Sequence, residues 1–335
     1  MKFVIGIDVS RLTLDIALLK TADETCTSFT IVNSEEGLLQ FFRTAYIEFK
    51  VTRRNSLVCA EQMGIFNTYL QQVCVNKKLN LCLESPLHIK RSLGIQRGKS
   101  DSIDAIRIAR YAYRQTATLK LWQPPRPEII QVKELAAIRR KLLKMKGMCT
   151  STQTNAGYYQ SSFEEDLHNT YTQNIITSIN KEVGKIEEAM EDIFVRDERL
   201  ATLRKIVTSV PYIGKVISTQ LIISTNEFEE HWTANKFASY CGIAPYSFSS
   251  GTSVKGKTKV SNIANKEVKA LVHIAALGNS RMKDSFLEAY YKRKLAEGKN
   301  KMSVLNAIRN KVIARVFSCV RAGSVYREPL PIKNN

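Results

Sequence analysis

The stretch FVIGIDVSRLTLDIALL, residues 3–19, decides the fold, because it reads as two β-rich runs, 3–9 and 12–19, joined by a tight turn. TSFTIVN, at 27–33, adds a third strand and completes a hairpin meander. A helix over 35–49, the strand SLVCAE at 56–61, a helix over 65–76 and the strand LNLCLES at 79–85 follow. Three strands and then alternating helices and strands imply an α/β sheet, part antiparallel and part parallel. The three prolines of LWQPPRPEI, 121–129, break that pattern and mark a domain boundary.

Beyond the prolines the period changes. Leu135, Ile138, Leu142 and Met145 recur at 3-4-3 spacing, as do Ile176, Ile179, Val183, Ile186, Met190 and Ile193, with charges at most positions between. Two long helices account for this, either paired as an antiparallel hairpin or used to dimerise. The Ser-, Thr-, Asn- and Gln-rich segment 151–170 reads as the tip connecting them. From about 200 onward the chain is mixed, mostly helical and strongly basic.

Composition narrows the function. Of 335 residues, 44% are hydrophobic and 24% charged, an ordinary globular balance that allows two domains. The formal net charge of +19 is not ordinary, and it points to a polyanion, with nucleic acid ahead of membrane. No apolar run approaches the roughly 18 residues that span a bilayer, and MKFVIGIDVS meets an acid too early for a signal peptide, so a cytoplasmic protein is expected. Seven cysteines without a C-x-x-C pair suit free thiols and not a zinc site. The histidines, His88, His168, His231 and His273, are scattered and read as ordinary core or surface residues.

The acids carry the chemistry. Asp8 ends the first strand and Glu61 the fourth; if those strands are neighbours, the two carboxylates leave one edge side by side. In GKSDSIDAIRIARYA, 98–112, Asp101 and Asp104 stand three apart at a helix start and so share a face. Four acids around one point cannot all ionise without a cation, and one or two Mg²⁺ ions resolve the repulsion. Taken singly, Asp8 or Asp101 serves equally as a turn former or helix cap. Together with the strand order they resemble the ribonuclease H-like fold of Holliday-junction resolvases. Sugar-kinase and actin-type ATPases also open on such strands, but their Gly/Thr-rich phosphate loops have no counterpart in the turn SRL.

In the C-terminal half, SVPYIGKVISTQLI at 209–222 places a Pro-x-x-Gly turn between apolar runs. It is either a helix-hairpin-helix, presenting Gly214 and Lys215 to a phosphate, or an ordinary helix corner. Ser250 lies beside Gly251, ahead of Lys255, Lys257 and Lys259, whose period of two suits a phosphate backbone along an extended segment. Ser250 is either a nucleophile towards phosphate or a residue of a connecting loop. Further basic residues from 281 to 315 interleave with Tyr290 and Tyr291, rings suited to stacking on unpaired bases.

GIDVSRLTLDIALL, GIQRGKSDSIDAIRIARYA, SVPYIGKVIS and FASYCGIAPYSFSSGTSVKGK, in this order across nearly the whole chain, resemble the bacterial insertion-sequence transposases of the one-ten family, the DEDD transposases guided by a bridge RNA. The resemblance implies an α/β plus α protein: a ribonuclease H-like (RuvC-like) DEDD domain over 1–125, a coiled-coil helical spacer over 126–200, and a mostly helical transposase domain over 201–328 with the helix-hairpin-helix-like segment and the serine loop. It implies that Asp8, Glu61, Asp101 and Asp104 hold Mg²⁺ and that Ser250 attacks DNA to form a covalent intermediate, with Arg97 and Lys99 steering phosphate. It implies donor and target DNA and a structured noncoding guide RNA as partners, and protomers joined as a dimer or tetramer in a composite site. Two features depart from the family. PYIG replaces the usual Pro-Gly-x-Gly, and Tyr212 is expected not to adopt the φ angles open to glycine. ANKEVKALV replaces a more basic, glycine-containing stretch. Separately, Ser249 precedes Ser250 and competes as the nucleophile. A metal-dependent resolvase-like endonuclease, in which Ser250 is only a loop residue, is the alternative activity, and a non-catalytic nucleic-acid-binding protein is a third.

Overall fold

The computed structural model describes residues 1–92, 101–159, 162–250 and 254–328, with backbone alone at 101, 151–159, 162–169, 247–250 and 254–257. The chain divides into two units, Met1–Pro124 and Pro125–Asn335, parted between two prolines of LWQPPRPEI.

The first unit opens with β1 (Phe3–Val9), β2 (Thr13–Lys20) and β3 (Cys26–Val32), followed by α1 (Glu35–Phe49), β4 (Ser56–Glu61), α2 (Thr68–Asn76), β5 (Leu81–Glu84), α3 (Pro86–Ser92) and α4 (Asp101–Arg114). The sheet order is β3-β2-β1-β4-β5, with β2 antiparallel to both its neighbours and β1, β4 and β5 mutually parallel. Alternation along the strands sends Phe3, Ile5, Ile7, Leu14, Ile16 and Val58 to one face, where α1 and α2 cover them. The intervening Val4, Ala17, Leu19, Cys59 and Cys82 form a second core under α4. Gly6 permits that second layer to come close: a Cβ there would stand 2.3 Å from the Ala109 backbone N and 2.4 Å from the Ala105 carbonyl oxygen.

The second unit comprises α5 (Pro127–Tyr159), α6 (Ser162–Arg196), α7 (Glu198–Thr208), α8 (Lys215–Thr225), α9 (Ala234–Tyr240), the hairpin β6 (Pro245–Ser250) and β7 (Val254–Val260), α10 (Lys266–Asn279), α11 (Phe286–Ala296) and α12 (Lys301–Ala322). Helices α5 and α6 are antiparallel. Arg139 Nε donates to Glu187 at 2.7 Å, and two turns further along α5 Lys146 Nζ donates to Asn180 at 2.7 Å, two turns back along α6. The connecting tip expected over 151–170 is a misreading, since α5 runs to Tyr159 and α6 begins at Ser162. Polar uncharged residues read as loop, yet they suit the solvated face of a long helix equally well. The expected apolar stripe is also only half buried: Ile176 and Ile179 are covered, whereas Ile138 and Met145 are 44% and 52% exposed. The polar cross-links at 139 and 146 face the partner helix and turn the preceding residues about 100° away from it.

Helix α12 is the centre of the second core. Asn300 caps its first turn and Gly323, at φ 59°, ends it. Leu305, Ile308, Val312, Val316 and Phe317 are buried against α9 and α10 residues such as Phe237, Val272 and Ala276. Among the described residues no helix is long and apolar enough to cross a membrane.

Candidate functional site

The parallel register of β1 on β4 runs Phe3 opposite Ser56 to Ile7 opposite Ala60, so the next residues, Asp8 and Glu61, end adjacent strands together. Asp8 also pairs with Asp15 across β2, and Glu61 with Glu84 across β5. Four neighbouring strands thus each carry a carboxylate at one level, on the face that α4 covers. Asp15 and Glu84 were not singled out in the sequence; counting by twos from Ala17 and Cys82 places them on that face, but only once the register is known. Asp15 accepts a hydrogen bond from Thr30 Oγ1 at 2.7 Å. Glu84 lies 3.4 Å from His88 Nδ1, and it adds to the effect of burial in pushing the Tyr111 phenol up to about 12.

Two buried asparagines fix the loops that leave this edge. Asn67, fully buried, donates to the Glu61 carbonyl at 2.9 Å. Asn33 donates to the Ser10 carbonyl at 2.8 Å and to that of Phe66 at 3.1 Å, tying the turn after β1 to the segment after β4.

Asp101 and Asp104 lie on the first turn of α4, one turn and one residue before Ala105, whose carbonyl touches Gly6, and Gly6 is two residues from Asp8. Three of the four expected acids, Asp8, Glu61 and Asp104, are therefore placed by described elements, while the Asp101 side chain lies outside the described residues. Asp104 is paired with Arg107 Nη1 at 2.7 Å, with the two side chains 25% and 16% exposed. Among the described residues no three His, Cys, Asp or Glu side chains are gathered closely enough to hold a metal.

Ser250 ends β6, opposite Val254, and Ser249 pairs with Lys255. Lys255, Lys257 and Lys259 all lie on β7, and Lys259 is exposed. The side chains of Ser249, Ser250, Lys255 and Lys257, and the whole of Arg97 and Lys99, lie outside the described residues.

Gly214 is the N-cap of α8 and supplies no side-chain cap. Lys215, the first residue of that helix, is ion-paired at 3.1 Å with Glu191, which also holds Arg204 at 2.7 Å. The expectation for Tyr212 was wrong: its φ is 61°, in the left-handed region. Packing overrides the intrinsic preference. The Tyr212 ring lies over Gly278, where a Cβ would meet it at 2.1 Å, and Asn279 Nδ2 donates to the Pro211 carbonyl at 2.8 Å. Tyr290 and Tyr291 are half-buried against the α12 core, and Lys311 Nζ lies 4.8 Å from the Tyr290 ring centre, so that ring is not the free stacking platform expected. A cleft of about 650 Å³ between the α5–α6 pair and α8 includes Arg139, Arg204 and Lys215 in its lining, and each of these three is matched by a carboxylate.

Comparison with known proteins bears on both units. Residues 5–154 match the family described as Transposase, of the DEDD IS110 type, and residues 204–292 match the Transposase IS116/IS110/IS902 family. A pilin gene-inverting protein of Moraxella bovis is 25% identical over 96% of both chains. An uncharacterised 43.6 kDa protein of the insertion element IS110 from Streptomyces coelicolor is 29% identical over 38% of this chain and 31% of its own. The solved structure of T. thermophilus RuvC in complex with Holliday junction substrate aligns over 36% of this chain and all of its own at 13% identity, with a TM-score of 0.28, too low to establish a shared fold.

Proposed function

Since the chain belongs to the IS110 family of transposases, a family of DNA-processing enzymes, we propose that it moves its own element by RNA-guided DNA cleavage and strand exchange through a phosphoserine intermediate. The observation that carries this reading is one of register: β1 and β4 end on Asp8 and Glu61 at one edge of the sheet, and Gly6 lets α4, the helix that begins with Asp101 and Asp104, pack closely against β1. A five-stranded sheet in which β2 alone is reversed suits a ribonuclease H-like, or RuvC-like, domain.

Asp8, Glu61, Asp101 and Asp104 offer only carboxylate oxygens, the hard donors that suit Mg²⁺, and Asp104 would join them on leaving Arg107. Bound there, Mg²⁺ would neutralise phosphate charge in an in-line displacement. Ser250, at the end of β6, would lose its hydroxyl proton and form an ester with a DNA phosphate, while the strand's own oxygen departs carrying a proton. The hydroxyl of a second strand would reverse the step and join the exchanged ends. Lys255, Lys257, Lys259, Arg97, Lys99, Gly214 and Lys215 would hold the phosphates. Ile138, Met145 and Met148, exposed along α5, offer a surface for joining protomers into a dimer or tetramer, a coiled-coil role for the spacer. A relative named for inverting a gene favours strand exchange over hydrolysis.

The test is cleavage of a plasmid carrying the element ends by the purified protein, with or without RNA transcribed from the element's noncoding flank, in Mg²⁺ or a chelator. Cleavage that needs both RNA and Mg²⁺ is expected. Cleavage without RNA, undiminished in Ser250→Ala, would favour the resolvase-like endonuclease.

A further inference from the structure

Arg309 on α12 is 6% exposed and has no carboxylate within ion-pair distance among the described residues. A buried cation without a counter-charge is costly unless it has a purpose or full hydrogen bonding. Its donors are taken up by neutral partners: Nε and Nη2 meet His273 Nδ1 at 3.2 and 2.7 Å, and Nη1 donates to Asn306 Oδ1 at 3.2 Å. A guanidinium has no acceptor, so His273 Nδ1 must accept, and the imidazole proton is confined to Nε2. Burial, followed by the Arg309 charge, holds the His273 pKa below its ordinary value, which keeps the ring neutral in that tautomer. Nε2 has no hydrogen-bond partner among the described residues, and the ring is only half-buried.

The surroundings indicate what this donor would meet. Lys266, Lys269 and His273 fall on one face of α10 at i, i+3 and i+7. Lys269 Nζ donates to the Gly242 carbonyl at 2.9 Å and Asn306 Nδ2 to that of Ile243 at 2.8 Å, so the same network anchors the chain as it enters β6. We infer that His273, its tautomer set by the buried Arg309, presents Nε2–H to a backbone phosphate of bound nucleic acid at the base of the β6–β7 hairpin. The positive charge behind the ring polarises an outward donor, an arrangement suited to an anion and unsuited to a cation. The inference rests on nucleic-acid binding by the chain and is independent of the roles proposed for Ser250 and the acids.

The test compares the full-length chain with His273→Asn, whose Oδ1 still accepts from Arg309 while its Nδ2, attached directly to Cγ, stops one bond short of the Nε2 position and leaves no donor there. Affinity for a duplex DNA and for a single-stranded RNA of unrelated sequence is measured across a range of salt concentrations. Loss of about tenfold in affinity is expected, with the salt slope unchanged because a neutral donor releases no counterion. Lys266→Ala, in contrast, lowers that slope by about one. Loss confined to one probe assigns the phosphate to DNA or to RNA. With only four histidines in the chain, the His273 ring nitrogens can be resolved by NMR, and the Hε2 signal should be present in the free protein and shift on adding nucleic acid. Unchanged affinity for both probes, or a proton found on Nδ1, overturns the inference. Failure of the unaltered chain to bind either probe overturns the nucleic-acid reading along with it.

Discussion

Gly6→Ala is the sharpest perturbation of the acidic edge, because it adds one methyl group far from solvent and touches none of the acids. The new Cβ would lie 2.3 Å from Ala109 N, 2.4 Å from Ala105 O and 2.8 Å from Ala109 Cα, all backbone atoms with no side chain free to swing aside. Restoring ordinary contact at 3.4 Å requires α4 to retreat by about 1 Å. Overpacking of this kind costs about 1–3 kcal/mol, and a misplacement of about 1 Å in a catalytic constellation costs about 10²-fold in rate. The first figure is read from urea unfolding and the second from Mg²⁺-dependent strand cleavage under conditions where the variant is folded. Gly184→Ala on α6, where an added Cβ meets nothing within 4 Å, is the control and should stabilise by about 1 kcal/mol. If Gly6→Ala is within about 0.5 kcal/mol of the parent and cleaves at the parent rate, the account of how α4 is seated is wrong.

Three further outcomes are expected. Gly278→Ala should cost about 1–3 kcal/mol through its clash with the Tyr212 ring; in a Tyr212→Gly background most of that cost should vanish, and a purely additive double-mutant cycle would contradict the packing argument. Because the folded His273 pKa is lowered from 6.5, stability is fully present above that pH and is lost as pH falls from 6.5 towards the folded value, where the unfolded chain alone takes up a proton. Urea midpoints between pH 8 and pH 5 should therefore fall less in His273→Asn than in the parent. Finally, a mixture of Asp8→Asn and Ser250→Ala protomers should recover part of the cleavage that each lacks alone, if acids and serine from different protomers make one site; no recovery would place both on a single chain.

The strands and their acids were legible because a period of two is a local signal and strand ends are marked by turn residues. Asp8 and Glu61 became neighbours on the assumption that strands one and four pair, and they do. Asp15 and Glu84 share that level only through the pairing of four strands, which no local pattern encodes. Tyr212 was misread for a related reason. Its left-handed backbone is held by Gly278 and Asn279, more than 60 residues away, against its own preference. The polar run at 151–170 reads as a connecting tip because composition alone does not separate a polar helix from a linker. His273 looked ordinary in the sequence, since nothing near it signals that a buried Arg309 sits behind its ring.

The central claim is tested most directly by trapping the reaction in denaturant and mapping any protein–DNA adduct by mass spectrometry, with intact protein, Ser250→Ala and Asp8→Asn run side by side. The account predicts a nucleotide-bearing peptide modified at Ser250 that is absent from both variants. Cleaved DNA without an adduct, or an adduct at Ser249 or elsewhere that persists in Ser250→Ala, would contradict it.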